Sequence, residues 1–231
     1  ATAHYSMGGI PVNIAGNVRK NNNEFVEGFY AAGECSCVSV HGANRLGANS
    51  VLEALLFGRY VGKTMVAEVD NIELREATES DASTALAEID FILNNNGDET
   101  VPGLRVELQD TMTENAGAFR TKETLEKAVA KVKEIRARFK NIRIKDKSKV
   151  FNTELQEAIE LGHMIDYSAF IVESAIARNE SRGAHYREDF EQRDDENFLK
   201  HTMAYMDENG EISLDYMDVV LGKHELKART Y

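Results

Sequence analysis

The run His41-Gly42-Ala43-Asn44-Arg45-Leu46-Gly47-Ala48-Asn49-Ser50 sets one guanidinium among glycines, small residues and amides, directly before an apolar segment. Arg suits a planar two-oxygen anion, because its fork of N–H donors matches both oxygens. Small neighbours let backbone and ligand approach closely. From Ser50 onward Val51, Leu52, Leu55, Leu56, Tyr60 and Val61 recur at helical spacing, so the run reads as a loop feeding a helix N-terminus. A pocket for a carboxylate, laid over a cofactor, is what such a loop would build.

Outward from this loop the chain changes character twice. Upstream, Asn21-Asn22-Asn23 reads as a loop, and Phe25-Val26 with Phe29 to Ala32 reads as strand material ending at Gly33. Gly58 and Gly62 in the following helix suggest close packing against a neighbour, at some cost in helix propensity. Residues 68–80 are polar and read as a linker. Ser80 with Asp81 is expected to cap a helix reaching about Leu93, ended by Asn94-Asn95-Asn96-Gly97. Pro102-Gly103 marks a new start, with a helix over about 104–116. Thr121 and Glu123 open the clearest helix, with Leu125, Ala128, Val129, Val132, Ile135, Phe139 and Ile142 forming one stripe. Asn152 caps a helix to about Asn179 that is apolar on much of its circumference, as a central bundle member would be. In the tail, His201 to Tyr205 and Ile212 to Tyr216 flank Glu208-Asn209-Gly210-Glu211, a strong hairpin signal.

Charge excludes some classes of function. The 231 residues carry a formal net charge of -12, which argues against nucleic acid as a general partner. Residues 120–149 hold twelve basic and four acidic groups, a local excess of +8, whereas residues 150–231 hold eight basic and eighteen acidic groups. A basic helix packed beside acidic elements of the same fold is the expectation, with docking onto a partner subunit or an anionic lipid surface as the alternative. No apolar run approaches the length of a membrane span. The two cysteines, Cys35 and Cys37, lack the second pair that a structural metal site needs, and read as small core thiols.

Several motifs in register make a family resemblance. His4-Tyr5-Ser6-Met7-Gly8-Gly9-Ile10-Pro11, Phe29-Tyr30-Ala31-Ala32-Gly33-Glu34 and the decamer at 41–50 resemble the flavoprotein subunit of succinate dehydrogenase and fumarate reductase. So do Phe151-Asn152-Thr153-Glu154-Leu155, Glu180-Ser181-Arg182-Gly183-Ala184-His185 and Arg193-Asp194-Asp195-Glu196-Asn197-Phe198. The resemblance covers nearly the whole chain, in the family's order. It implies an α/β flavin-domain remnant, an all-α three-helix bundle and a C-terminal β-hairpin tail, divided at residues 1–75, 76–190 and 191–231.

The family's G-x-G-x-x-G turn is missing from these residues, so the chain is expected to be a C-terminal portion, with FAD held mainly by residues absent from it. The resemblance implies that Arg45 binds one carboxylate of succinate or fumarate and His4 the other, which would hold a four-carbon dicarboxylate flat against the flavin. It also implies FAD contacts from Glu34, an acceptor for ribityl or ribose hydroxyls, and from the backbone amides of Ser50 and Val51 at the flavin pyrimidine. His41 is expected to order the loop rather than touch substrate, and Arg182 and His185 to be paired at a domain seam. Partners implied are an iron–sulfur subunit and membrane anchor subunits, on the cytoplasmic side of the cell membrane. The motifs at 33–36, 160–163 and 198–201 look slightly closer to fumarate reductases, but one site serves both directions. Two other readings stay open: an L-aspartate oxidase-like flavoenzyme, and a non-catalytic helical module for subunit docking.

Overall fold

The computed structural model describes residues 7–73, 76–223 and 226–227. His4 lies outside these residues. The chain opens with short strands: β1 (Ile10–Pro11), β2 (Asn17–Arg19), β3 (Phe25–Tyr30) and β4 (Ser36–Cys37). β1 pairs in parallel with β4, and β2 pairs antiparallel with β3. Val12, Val18 and Ala31 form a small apolar cluster between them, flanked by Ile10 and Val38. The strand expected at Phe25–Ala32 forms, and ends two residues early at Tyr30.

Helix α1 (Asn49–Glu68) packs on this layer through Val61. Gly16, with φ +85°, lies against it: a Cβ there would sit 2.2 Å from a Val61 methyl. At the helix C-terminus the Glu68 carboxylate accepts hydrogen bonds from the Tyr30 hydroxyl and, at 3.3 Å, from Asn17. The other faces of α1 are uncovered. Val51, Leu52, Leu55, Leu56, Tyr60 and Val66 are all exposed, Leu55 to 70%, while the charged Glu53 is buried. The packing expected at Gly58 and Gly62 is not made within the described residues, since a Cβ at either would meet nothing within 4 Å. Both glycines border an open groove of about 430 Å³ between α1 and β3.

Next come α2 (Ser83–Asn94), β5 (Glu99–Thr100), α3 (Val101–Asn115), α4 (Lys122–Phe139), β6 (Ile142–Arg143) and α5 (Thr153–Ala177). Thr78, not Ser80, starts the first of these: its backbone N–H reaches the Asp81 carboxylate at 2.7 Å, and a 3-10 turn over Glu79–Ala82 leads into α2. Helix α3 begins three residues before the sequence expectation, because Thr100 caps it and Pro102 fits the first turn, where no N–H is required. Helix α4 stops at Phe139, so Ile142, expected on its stripe, is instead buried in β6 beside β5. Thr121 and Asn152 cap α4 and α5 as read, accepting from the Thr124 and Leu155 amides.

One core unites these helices. Leu104 and Leu108 of α3, Leu125, Val132 and Ile135 of α4, and Leu161, Ile165 and Val172 of α5 are all essentially inaccessible. α5 is the central member and touches α2, α3 and α4. The bundle is not restricted to three helices, because Ile92 and Leu93 of α2 enter the same core. The basic run on α4 is neutralised within the fold. Arg138 bonds Glu99 at 2.7 Å and Glu107 at 2.6 Å, and Lys133 pairs with Glu173 of α5 at 3.2 Å. Arg138 holds the Glu107 carboxyl down at about 2.

After α5 comes a stretch without regular structure, then α6 (Asp195–Phe198) and the hairpin β7 (Lys200–Met206) with β8 (Ile212–Asp218). The hairpin is in register from Lys200↔Asp218 to Met206↔Ile212. Asp207 closes its loop by accepting from the Asn209 and Glu211 amides at 2.9 Å, and Gly210 takes φ +83°. The seam between bundle and tail is built of buried charge. Glu180 is 0% exposed and receives Arg178 and Arg182, each at 2.8 Å, plus the Asp194 amide at 2.9 Å. Arg187, also 0% exposed, grips Asp189 through two 2.8 Å bonds and turns its third nitrogen toward the carbonyls at the C-terminal end of α5. That end carries negative partial charge, which a cation complements.

Three outcomes follow from this packing. Leu161→Ala should cost about 2–5 kcal/mol in urea unfolding, since the site is closed on all sides. Glu180→Ala should cost about 3–5 kcal/mol, because two arginines lose a buried partner. Stability should also fall with acid in two stages. Burial pushes the His185 and His201 imidazoles below their ordinary value of 6.5, so folding favours their neutral form and that contribution fades as pH drops through that value. The Glu107 and Asp189 carboxyls, held at about 2 mainly by Arg138 and Arg187 respectively, contribute above their ordinary values and lose that contribution between about pH 4 and 2. Urea midpoints at pH 7.5, 5.5 and 3.5 test the sequence; a flat profile would contradict it.

Candidate active-site loop

The loop that carries Arg45 has no regular structure, so its shape is set by bonds to what surrounds it. His41 is the inner anchor. Its Nδ1 accepts from the Leu46 amide at 3.2 Å, which leaves the proton on Nε2, and Nε2 donates to the buried Glu53 carboxylate of α1 at 2.8 Å. Asn49 reaches back to the Val40 carbonyl at 3.1 Å. Ser39, Gly42 and Ala48 all take positive φ, so the loop turns sharply three times.

Arg45 is half-buried, and its Nε donates to the Ser50 hydroxyl at 2.7 Å. A guanidinium is planar, so one bond at Nε fixes the plane in which the remaining donors lie. Ser50 and Val51 form the first turn of α1, behind Ala48 at the N-cap. Ala48 supplies no side-chain cap, and no cap to that turn is made among the described residues. An uncapped helix start presents N–H groups and positive partial charge. Val51 is 64% exposed beside it.

Glu34 is exposed, in a turn that begins at Gly33. Ser36 closes the turn, with amide and hydroxyl both 2.9 Å from the Gly33 carbonyl. Gly33 takes φ +82°, and a Cβ there would lie 3.5 Å from the Ala54 Cα, so the turn lies along α1 one helical turn beyond Ser50. Gly9 passes so close to the Cys35 carbonyl that a Cβ would sit 2.6 Å from it. Gly9 thus lies beside the Glu34 turn. The thiols were expected in the core; instead Cys35 is exposed on this turn and Cys37 is half-buried.

The structure therefore brings Arg45 and Ser50 into contact and places the Glu34 turn against the same helix. It adds two side-chain contacts that the sequence reading did not name. Ser50 holds Arg45 with its hydroxyl, besides any role for its amide. Glu53 anchors His41; its signal was a lone carboxylate inside the otherwise uncharged run Leu46–Gly58. His41 does order the loop. Arg182 pairs with Glu180 and, at 2.7 Å, Asp195, and His185 sits between the Arg120 guanidinium and the Arg178 carbonyl.

The chain is similar to known proteins over nearly its whole length. The family profile described as "Fumarate reductase flavoprotein C-term" matches residues 105–231, and one described as "FAD binding domain" matches residues 1–51. The succinate dehydrogenase flavoprotein subunit of Rickettsia conorii is 43% identical over 95% of the chain and 38% of its own length. The fumarate reductase flavoprotein subunit of Escherichia coli is 42% identical over 94% of the chain and 36% of its own length. The solved FrdA chain of E. coli quinol fumarate reductase superposes with a TM-score of 0.89 at 41% identity, over 97% of this chain and 38% of that one. The chain thus spans under two fifths of the length of these relatives. Over that span, it belongs to the succinate dehydrogenase and fumarate reductase flavoprotein family.

Proposed function

We propose that this chain forms the C-terminal part of a flavoprotein subunit that interconverts succinate and fumarate. The observation that carries this is Arg45: a guanidinium oriented by Ser50, beside the N-terminus of α1 where Ala48 offers no side-chain cap, in a stretch that the FAD-binding profile covers. Arg45 would hold one carboxylate of the dicarboxylate in both of its oxidation states. His4 would hold the other; Gly9, five residues on, lies beside the Glu34 turn. Clamping both ends fixes the central carbons in one plane. The positive charge at Arg45 also favours negative charge developing at the neighbouring carbon.

The residues present fit one wall of an FAD site. Glu34 offers an exposed acceptor for sugar hydroxyls, and Ser50 and Val51 lie in the first turn of a helix, an end that favours negative charge by roughly 0.3–2 kcal/mol. FAD, when bound, supplies the hydride acceptor for succinate and the donor for fumarate. The exposed leucines and valines of α1 support reading residues 1–75 as one side of a larger flavin domain, because a face this apolar ordinarily packs against another. Residues 76–190 would then form the helical domain and 191–231 the tail. An iron–sulfur subunit and a membrane anchor would carry electrons onward, which puts the protein peripherally on the cytoplasmic side of the membrane. No described helix is long and apolar enough to cross a membrane. Nothing in the relatives favours an L-aspartate oxidase or a purely structural helical module.

Two outcomes test the proposal. In the full-length flavoprotein that carries this segment, Arg45→Ala should lower kcat/KM for succinate by about a hundredfold or more in a dye-coupled assay. Unchanged turnover and dicarboxylate affinity would overturn the assignment. The 231-residue chain alone, purified and mixed with FAD, should neither retain flavin absorbance on desalting nor reduce dye with succinate.

A further inference from the structure

We propose that Gly183, in the seam between bundle and tail, is a positioning residue for Arg45; this rests on the reading of Arg45 as the carboxylate ligand. Residues 182–185 form a tight turn in which the Arg182 amide reaches the His185 carbonyl at 2.8 Å and the His185 amide returns to Arg182 at 3.1 Å. The turn presses on the active-site loop. The Ala184 amide donates to the Ala43 carbonyl at 2.9 Å, only two residues from Arg45. At Gly183 a Cβ would lie 2.3 Å from that same carbonyl oxygen and 2.8 Å from the Ala43 Cβ, inside the 3.0 Å that real Cβ atoms keep. The obstructing atoms are backbone and a short side chain, so no flexible group can swing aside. Gly183 also takes φ +61°, which side-chain-bearing residues rarely adopt.

The turn has little freedom to retreat. Arg182 is bound to the fully buried Glu180 and to Asp195. His185 receives Arg120 on Nδ1 at 3.1 Å and donates from Nε2 to the Arg178 carbonyl at 3.0 Å. On the opposite side the loop is bound to α1 by His41 and Glu53. Ala43 is therefore clamped between α1 and the seam, and the guanidinium that Ser50 orients shares that clamp. Any side chain at position 183 must move Ala43, and Arg45 with it. A misplacement of about 1 Å at a substrate-holding group can cost on the order of a hundredfold.

The test is kinetic. In the FAD-loaded full-length flavoprotein, Gly183→Ala should raise KM for succinate by on the order of tenfold or more, with kcat changed much less, as expected when ground-state and transition-state binding weaken together. A double-mutant cycle separates positioning from general damage: in an Arg45→Lys background, Gly183→Ala should add little further loss. Should Gly183→Ala fail to fold or to hold FAD, Ala43→Gly loosens the same contact from the other side and should raise KM in the same way. Losses that multiply fully with those of Arg45→Lys, or an unchanged KM in the variant that folds, would overturn the positioning role. If Arg45→Ala itself leaves turnover intact, the assignment of Arg45 is what fails, whatever Gly183→Ala does. Hydrogen exchange of the full-length flavoprotein, read by mass spectrometry, follows the contact without catalysis: the Ala184 amide should be protected, and unprotected exchange in the unaltered protein would also refute the clamp.

Discussion

A carboxylate with no exposed surface holds the two ends of this structure together. Glu180 would be costly to bury alone, because an uncompensated charge in a low-dielectric interior loses several kcal/mol of hydration. Arg178, Arg182 and the Asp194 amide together satisfy both of its oxygens. Burial alone would raise its pKa, but bonds from Arg182, the Asp194 amide and Arg178 outweigh it and hold the group ionised. Each of those donors belongs to a different part of the chain: the end of α5, the 182–185 turn, and the start of the tail. Through that turn the same cluster reaches Ala43, and so the candidate active-site loop.

The two halves of the molecule are stabilised differently. The bundle rests on an apolar core: α5 buries one long apolar face against three neighbours, and the charges on α4 are matched by carboxylates from β5, α3, α5 and α4 itself. The N-terminal portion is the reverse. Its helix buries Glu53 and exposes leucines, and the bonds that hold its loops are mostly polar. A loop maintained by hydrogen bonds rather than by core packing can present a guanidinium at a defined angle without enclosing it. It also depends on its surroundings, which explains why contacts from α1 and from the seam both end on residues 41–46.

Much of this was legible in the chain. The apolar period of 3.6 on α4 and α5, the Thr121 and Asn152 caps, and the Asn209-Gly210 hairpin signal are local properties, and local properties survive into the fold. Where the reading missed, a nearby competitor won. Pro102 looked like a boundary and proved a member of the first turn of α3. Ile142 kept the helical spacing of α4 but was captured by the parallel pair with β5. Gly58 and Gly62 promised a close neighbour that these residues do not supply.

For the candidate site, the residues determined what chemistry is open to it: an arginine among glycines before an apolar helix suits a planar anion wherever it lies, because donor geometry and small size are intrinsic to the side chains. What only the tertiary structure decided is how that arginine is held. Ser50 as its hydrogen-bond partner, Glu53 beneath His41, and Ala184 against Ala43 from some 140 residues away in sequence are all matters of which groups meet. Hydrogen bonds act only over about 3 Å, and no pattern along a chain reveals which distant atoms come that near.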